Sequence, residues 1–199
     1  MALASSDHPV HQSPPSAGGE DHTFRQRIAV QYQQSAVNKS RLKYCVFLHY
    51  FLCFAMLAKL VPYILDRFNW FILIVEELEV PEPFAWEWFW LSSITASAFC
   101  LDAIKKNSVT SMRNYIISIV LLGYLPILYA LVFWFSEVYI FLVSDDYFDV
   151  VDLVYWRMYP CGLLWYAFLM IALQVHSFSM YFSFKLITAW KTRGARRAE

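Results

Sequence analysis

Residues 38–60 read NKSRLKYCVFLHYFLCFAMLAKL, and this stretch decides the fold class. Lys39, Arg41 and Lys43 lie directly before an apolar run that carries no Lys, Arg, Asp or Glu until Lys59. A first apolar helix with Lys and Arg on one flank tends to keep that flank in the cytosol, and the later spans follow from that choice. The stretch therefore predicts a membrane-spanning helix whose N-terminal side is cytosolic.

The composition of the whole chain supports a membrane protein. Hydrophobic residues make up 59% of its 199 residues and charged residues 16%, whereas soluble domains average roughly 45–50% apolar residues. A soluble core of this size could not hide so much apolar surface, so a soluble fold is excluded. We predict an all-α integral membrane protein. The 16 Lys and Arg and the 16 Asp and Glu are segregated along the chain. Membrane topology explains this segregation better than nucleic-acid binding does, so nucleic acid is not expected as a partner.

Four segments are long and apolar enough to cross a bilayer, since a crossing needs about 20 residues. The predicted spans cover about 44–65, 84–101, 115–135 and 161–184, which together form a membrane domain over 44–184. Tryptophans at the start of the second span suit the headgroup layer. Pro126 predicts a bend in the third span. The apolar run 71–75 is too short to cross, so we predict an interfacial helix that the following prolines end.

The segments outside the membrane domain are polar. Residues 1–22 predict a disordered cytosolic tail, 23–43 a cytosolic amphipathic helix with a basic flank, and 185–199 a basic cytosolic tail. In the amphipathic segment the apolar side chains recur every four residues, and the cations lie beside them. Such a helix either lies on an anionic leaflet or docks on the cytosolic ends of the protein itself. The residues of this interfacial helix are Phe24, Arg25, Arg27, Ile28 and Tyr32.

The charges are segregated along the chain. With both termini in the cytosol, 13 of the 16 Lys and Arg fall on the cytosolic side, and only Lys59, Arg67 and Arg157 do not. Lys and Arg set orientation and acidic residues contribute little, so four spans with cytosolic termini are predicted. This topology also places the sequon at Asn38 in the cytosol, where it would not be glycosylated. The first apolar run begins near residue 44, too late for a cleaved signal peptide, so the first span is expected to remain as an anchor.

Polar side chains inside the spans are the candidates for a functional site, because they are costly in a bilayer. His49 and His176 are predicted to lie at depths that let them face each other, with Gln174 nearby. A proton relay or haem ligation competes with a simple hydrogen bond between helices, which we favour because no Asp or Glu lies mid-span. Lys59 and Glu87 fall at the same end of their spans and are predicted to pair, the alternative being that Lys59 snorkels to the interface.

Motifs for catalysis are missing from the sequence. It contains no G-x-S-x-G, H-E-x-x-H or glycine-rich phosphate loop. The four cysteines are dispersed and are expected to be apolar residues rather than a disulfide framework or zinc site. We therefore expect no catalytic residues, no metal and no cofactor. The cysteines are Cys45, Cys53, Cys100 and Cys161.

Six short segments, in order and spacing, resemble the jagunal family in its invertebrate form. They are FRQRIA at 24–29, YQ at 32–33, NKSRLKYC at 38–45, LAKL at 57–60, EELEVP at 76–81 and QVH at 174–176. The resemblance extends from about residue 22 almost to the end. It implies a non-enzymatic, multi-pass protein of the endoplasmic reticulum membrane that supports reticulum organisation and vesicle-mediated transport in the early secretory pathway.

The resemblance also implies partners at the cytosolic ends, namely membrane lipid and coatomer or other trafficking proteins. Some members of the family end in a dilysine-type retrieval signal, but the corresponding positions here are Arg196 and Arg197. These two residues are a candidate arginine-based retrieval signal or ordinary anchoring charge. A small membrane enzyme or carrier that acts on lipid, centred on His49 and His176, is the alternative function.

Overall fold

A computed structural model describes residues 17–143 and 154–196, and the side chains of 22–143 and 154–192. The described parts are almost entirely helical, with one two-stranded hairpin. The helices are α1 (Ala17–Arg67), α2 (Leu73–Glu76), α3 (Ala85–Leu91), α4 (Ile94–Lys106), α5 (Val109–Ser118), α6 (Leu125–Val143) and α7 (Cys161–Arg196), and a π-helical segment, Ile119–Tyr124, joins α5 to α6. The all-α class predicted from composition is confirmed.

Three long helices in the described parts of the chain are apolar enough to cross a membrane. They cover His22–Arg67 within α1, Val109–Val143 through α5 and α6, and Cys161–Thr192 within α7. These helices contain the predicted first, third and fourth spans. At about 1.5 Å per residue each is longer than the ~30 Å hydrocarbon core of a bilayer.

The first helix differs from its prediction at the N-terminal end. α1 runs over 51 residues from Ala17 to Arg67, so residues 17–22 are helical rather than part of a disordered tail, while residues 1–16 lie outside the described residues. The amphipathic segment 23–43 is not a separate interfacial helix, because it continues into the span without a break. The backbone is helical throughout residues 23–44. The same part of α1 packs against α7.

The predicted second span over 84–101 is wrong as a single helix. It consists of α3, with 7 residues, and α4, with 13. Ser92 and Ser93 between them keep right-handed backbone angles, and the amides of Ser93 and Thr95 bond three residues back. Such a tightened turn continues the chain in roughly the same direction. The hydroxyl of Ser92 also bonds the Phe89 carbonyl at 2.5 Å, which competes with the regular helical pattern.

The predicted irregularity at Pro126 takes the form of a π-helical segment. Ile119–Tyr124 ends just before Leu125 and Pro126. Proline lacks the amide hydrogen that a regular helix needs and its ring collides with the preceding turn. A widened turn before the proline relieves that collision, and the helix continues without interruption from Val109 to Val143. The bend predicted at Pro126 stays a prediction.

The interior contains two apolar clusters. One, around Leu52, Met56 and Trp90, packs α1 against α3, α6 and α7. The other, around Leu42, Met112 and Leu186, packs α1 against α4, α5 and α7. Outside them the helices expose large apolar side chains, for example Phe54 at 70% exposure. Soluble proteins rarely expose so much apolar surface, whereas lipid acyl chains would cover it.

The loop between α1 and α3 and the hairpin before α7 contact each other. Of the predicted interfacial helix, only the four residues of α2 are helical. A hairpin of β1 (Tyr155–Trp156) and β2 (Tyr159–Pro160) follows α6 in the chain. The indole of Trp156 donates to the Leu78 carbonyl at 2.8 Å, and the Arg157 guanidinium donates to the Glu77 carbonyl at 2.8 Å. These bonds join the two loops, a contact that the sequence did not predict.

Candidate functional site

A layer of polar side chains lies between the two apolar clusters. His49 of α1 is 2% exposed, and its Nε2 lies 2.9 Å from the Ser93 hydroxyl and its Nδ1 3.2 Å from the Ser97 hydroxyl. Ser93 stands at the break between α3 and α4, so the broken helix presents its hydroxyl to the imidazole. Both ring nitrogens of His49 therefore have partners, which removes most of the cost of burying them.

The second histidine of the layer, His176 of α7, contacts His49 directly. Their ring centroids are 4.9 Å apart in an edge-to-face arrangement, so the structure brings the predicted pair together. Trp90 Nε1 donates to His176 Nε2 at 3.3 Å. A Cβ atom at Gly123 would lie 3.1 Å from that Nε2. The glycine in the π-helical segment thus leaves the room that His176 occupies.

Gln174 does not belong to this layer, contrary to the prediction. It is exposed, because two residues along a helix turn the side chain about 200° away from His176. The further members are hydroxyls instead: Tyr115 bonds Ser179, and Tyr124 bonds Ser177 at 2.9 Å. Serines at helical spacing opposite a buried histidine are the sequence signal that would have found them.

The chemistry of this layer is that of a satisfied hydrogen-bond network. In the described part of the chain, no group of three or more His, Cys, Asp or Glu side chains is arranged to hold a metal ion. The four cysteines are buried and free. Interhelical hydrogen bonds in membrane proteins contribute about 0.6 kcal/mol each. The layer therefore fixes which faces of α1, α4 and α7 meet.

Lys59 and Glu87 lie together at the other end of the first span. The Lys59 ammonium is 2.7 Å from Glu87 Oε2 and 3.0 Å from Oε1, and the Glu87 side chain is fully buried. Glu87 also accepts the Phe84 amide at 3.2 Å, at the start of α3. The Trp165 ring covers the ammonium, with its centroid 5.3 Å from Nζ. The pair connects α1, α3 and α7, and Lys59 does not snorkel away.

Glu137, just past the predicted third span, is a buried acid. It lies on α6, 9% exposed, and its Oε1 accepts the Gly162 amide at 2.9 Å. Gly162 is in the first turn of α7, where free amides and the helix dipole favour a negative charge. The spacing of 25 residues between the two hides this contact from any local pattern.

On the basic side, α1 docks on α7 through a face that was not predicted. Ser35 is buried and accepts the Trp190 indole hydrogen at 3.3 Å, and the Lys39 ammonium lies 5.8 Å from the Trp190 ring centroid. The predicted apolar stripe does not make this contact. Of its members, Ile28 is half-buried and Phe24 and Tyr32 are exposed, and the cations beside the stripe, Arg25 and Arg27, are exposed as well.

The turn between α4 and α5 is also on this side, just past the predicted end of the second span. The Asp102 carboxylate lies 2.6 Å from the Lys106 ammonium and accepts the Ser111 hydroxyl at 2.9 Å. These two contacts, Lys106 first, hold the pKa of Asp102 below its usual range. The candidate retrieval signal falls beyond this region: Arg197 and the Arg196 side chain lie outside the described residues.

Comparison with known protein families shows which family this chain belongs to. The family described as "Jagunal, ER re-organisation during oogenesis" matches residues 8–194, which is nearly the whole chain. The chain belongs to the Jagunal family. The resemblance read from six short segments is therefore confirmed.

Jagunal relatives occur in several animals. "Protein jagunal" of Drosophila melanogaster is 46% identical over 181 residues, covering 90% of this chain and 92% of its own. "Protein jagunal homolog" of Caenorhabditis elegans is 28% identical over 173 residues, covering 86% of this chain and 90% of its own. "Protein jagunal homolog 1" of Homo sapiens is 26% identical over 190 residues, covering 90% and 92%. The family is described by an effect on the endoplasmic reticulum and by no catalytic activity, which agrees with the non-enzymatic protein we predicted.

Proposed function

We propose that this chain is a four-span protein of the endoplasmic reticulum membrane, with both termini in the cytosol. In this proposal it supports reticulum organisation and vesicle-mediated transport in the early secretory pathway. The family to which it belongs, described by re-organisation of that membrane, carries the proposal. The exposed apolar faces of α1, α6 and α7 support residence in a bilayer.

The fourth crossing in this proposal is the broken helix α3–α4. The 17 residues from Ala85 to Leu101 cover about 26 Å at 1.5 Å per residue, close to the ~30 Å hydrocarbon core, and the last turn of α4, from Asp102 to Lys106, would lie in the cytosolic headgroup layer. Its tightened turn keeps one direction, and its break is buried against α1, where irregular backbone is tolerated in membranes. With α3–α4 crossing, the acidic loops share the lumenal side and the basic segments share the cytosolic side.

The working surfaces would be the cytosolic parts of α1 and α7, the turn near Lys105 and the basic C-terminal tail. These surfaces carry most of the cations, which suits anionic lipid and acidic segments of coat proteins. Arg196 and Arg197 remain a proposed retrieval signal read by coatomer. Replacing both with Ala should move a tagged protein from the reticulum to the Golgi, and unchanged reticular staining would remove the sorting role.

Depletion and rescue in cells test the function directly. Loss of the protein should disturb reticulum distribution and slow the exit of a synchronised secretory cargo, and the wild-type chain should restore both. Tagged protein that fractionates with another membrane, or normal cargo exit after depletion, would contradict the proposal.

The contact between His49 and His176 favours one alternative, a membrane enzyme or carrier that acts on lipid. The two histidines meet inside the bundle, as such a site would require. His49→Asn with His176→Asn separates the two functions. Under our proposal reticulum organisation survives with a modest loss of stability, whereas a lipid activity centred on these rings would be abolished.

A further inference from the structure

A groove lined by both polar and apolar side chains runs between α1 and α7 on the basic side of the molecule. Gln34 and Asn38 form its α1 wall, and Tyr181 and Lys185 form its α7 wall. The groove has a volume of about 480 Å³. It opens into an adjoining groove of about 380 Å³ that shares these four residues and is bordered by Arg41. The two grooves together are named the basic groove below.

The basic groove lies at the boundary between hydrocarbon and water. The first predicted span begins at about residue 44 and the fourth ends at about residue 184, so Arg41 and Lys185 are within one helical turn of that boundary. Tyr181 and Phe184 beside it expose about half of their surface. Aromatic side chains at such a level face the lipid interface. The basic groove therefore reaches from the headgroup layer to the acyl chains.

The electrostatics of the basic groove have one sign. Neither residues 22–65 of α1 nor residues 161–192 of α7 include an Asp or Glu. Among the described side chains, Arg41 and Lys185 have no carboxylate partner and lie over aromatic rings instead. The Arg41 Cζ is 5.8 Å from the Phe182 ring centroid, and the Lys185 Nζ is 5.6 Å from that of Tyr181.

The hydrogen-bonding groups of the basic groove complement a phosphate. Guanidinium and ammonium groups make strong charge-assisted bonds to phosphate oxygens, and the amide groups of Gln34 and Asn38 add neutral donors. Basic pockets between helices at the cytosolic membrane surface bind anionic headgroups through such groups. The walls of the basic groove supply all of these donors, and its described lining residues include no competing carboxylate.

We propose that the basic groove binds one anionic phospholipid of its own leaflet, with the phosphate between Arg41 and Lys185 and the acyl chains along the exposed apolar faces of α1 and α7. A lipid fits better than a soluble anion because the groove continues onto apolar surface. The inference rests on the proposed orientation, in which this leaflet is cytosolic. It adds a ligand site to the proposed function.

The test uses the full chain purified in a neutral detergent and native mass spectrometry with dioctanoyl phosphatidylinositol 4-phosphate as the probe. Dioctanoyl phosphatidylcholine and free inositol 1,4-bisphosphate are the reference ligands. Since each cation near an anionic headgroup contributes about fivefold, Arg41→Gln with Lys185→Gln should weaken binding of the probe roughly 25-fold. Phosphatidylcholine should bind the wild-type chain more weakly than the probe by a similar factor.

A matched control separates the basic groove from charge in general. Arg113→Gln removes an exposed cation of α5 from the same side of the molecule and should leave binding of the probe within about twofold. Ala189 lines the groove, so Ala189→Phe keeps every charge and should block the site sterically. Thermal unfolding curves check that each variant is folded. If the variant with both Arg41→Gln and Lys185→Gln does not fold, the binding measured for Ala189→Phe decides the test.

Three results would overturn the inference. They are equal binding of the probe by the wild-type chain and both groove variants, a loss in Arg113→Gln as large as in the groove variants, and binding of inositol bisphosphate as tight as that of the lipid. The last result would assign a soluble anion to the groove. If the chain does not bind the lipid but still restores the reticulum in depleted cells, only this inference is contradicted. If the chain binds the lipid but resides in another membrane, only the proposed function is contradicted.

Discussion

Single residues in this chain combine charge or polarity with deep burial, and their partners come from distant segments. Glu87 is the clearest case, since its carboxylate is fully buried against Lys59 while it also accepts the Phe84 amide. A buried ion pair is not strong evidence of net stability, but loss of one partner leaves an uncompensated charge. Variants at such residues therefore have large expected effects.

Neutralising one member of this pair should destabilise the bundle. Glu87→Gln leaves the Lys59 ammonium without its counter-charge, so the free energy of unfolding in detergent should fall by about 3–5 kcal/mol. Lys59→Glu combined with Glu87→Lys should recover part of that loss. Lys106→Gln, which breaks an exposed pair with Asp102, serves as the control and should cost at most about 1 kcal/mol. Additive losses in the double reversal would exclude a direct pair.

Adding one methyl group at Gly123 should disturb the histidine layer. Its Cβ would lie 3.1 Å from His176 Nε2 and 3.2 Å from Ile119 Cδ1, so neighbouring side chains must shift. We expect Gly123→Ala to lower the free energy of unfolding by about 1–3 kcal/mol, the usual cost of overpacking. Leu121→Ala, on an exposed position of the same segment, should change it by less than half as much. Equal effects would show that the contact with His176 is not tight.

At the scale of elements, irregular helices coincide with the polar contacts. The break between α3 and α4 presents Ser93 to His49, and the π-helical segment brings Gly123 against His176. Broken and widened helices leave backbone groups that neighbours or side chains must satisfy. The start of α7 is a further example, since Glu137 of α6 accepts one of its first amides.

Removal of the Glu137 carboxylate should weaken the docking of α6 on α7. Glu137→Ala loses a buried charge-assisted hydrogen bond and the favourable placement at a helix N-terminus, which together should cost about 1.5–3 kcal/mol of unfolding free energy. Glu137→Gln keeps an acceptor oxygen and should lose less. Thermal unfolding of both variants beside wild type measures the difference. A glutamine variant as unstable as the alanine variant would contradict a hydrogen-bonding role.

At the scale of the whole molecule, the number of membrane crossings determines on which side each loop lies. Three helices are long and apolar enough to cross by themselves, and the proposed topology adds α3–α4. With only three crossings, the turn after α4 and the acidic loop before α3 would lie on the same side. With four, they lie on opposite sides.

Cysteine labelling in sealed microsomes distinguishes these topologies. Because the four native cysteines are buried, a membrane-impermeant maleimide should react weakly with the wild-type chain. Lys105→Cys, at an exposed site past the second span, should react at once, whereas Glu77→Cys, in the acidic loop, should react only after the microsomes are permeabilised. The same behaviour of both variants, either immediate reaction or reaction only after permeabilisation, would rule out the α3–α4 crossing.

The sequence predicted the class of this protein and the place of three long helices. Apolar length and composition are local properties of a segment, and the thickness of the hydrocarbon core sets the length that a crossing segment needs. It also predicted that Lys59 meets Glu87 and that His49 meets His176, since depth along a span limits which polar groups can approach. The family relationship could be read from short segments as well, because they keep their order and spacing.

Only the tertiary structure decided the rest. The break at Ser92 and Ser93, the exposure of Gln174, the docking of Ser35 on Trp190 and the burial of Glu137 all depend on contacts between residues far apart in the chain. A hydropathy pattern cannot tell which face of a helix meets another helix, because lipid and protein interior are equally apolar. Hydrogen bonds between helices make that choice, and those bonds exist only in the packed bundle.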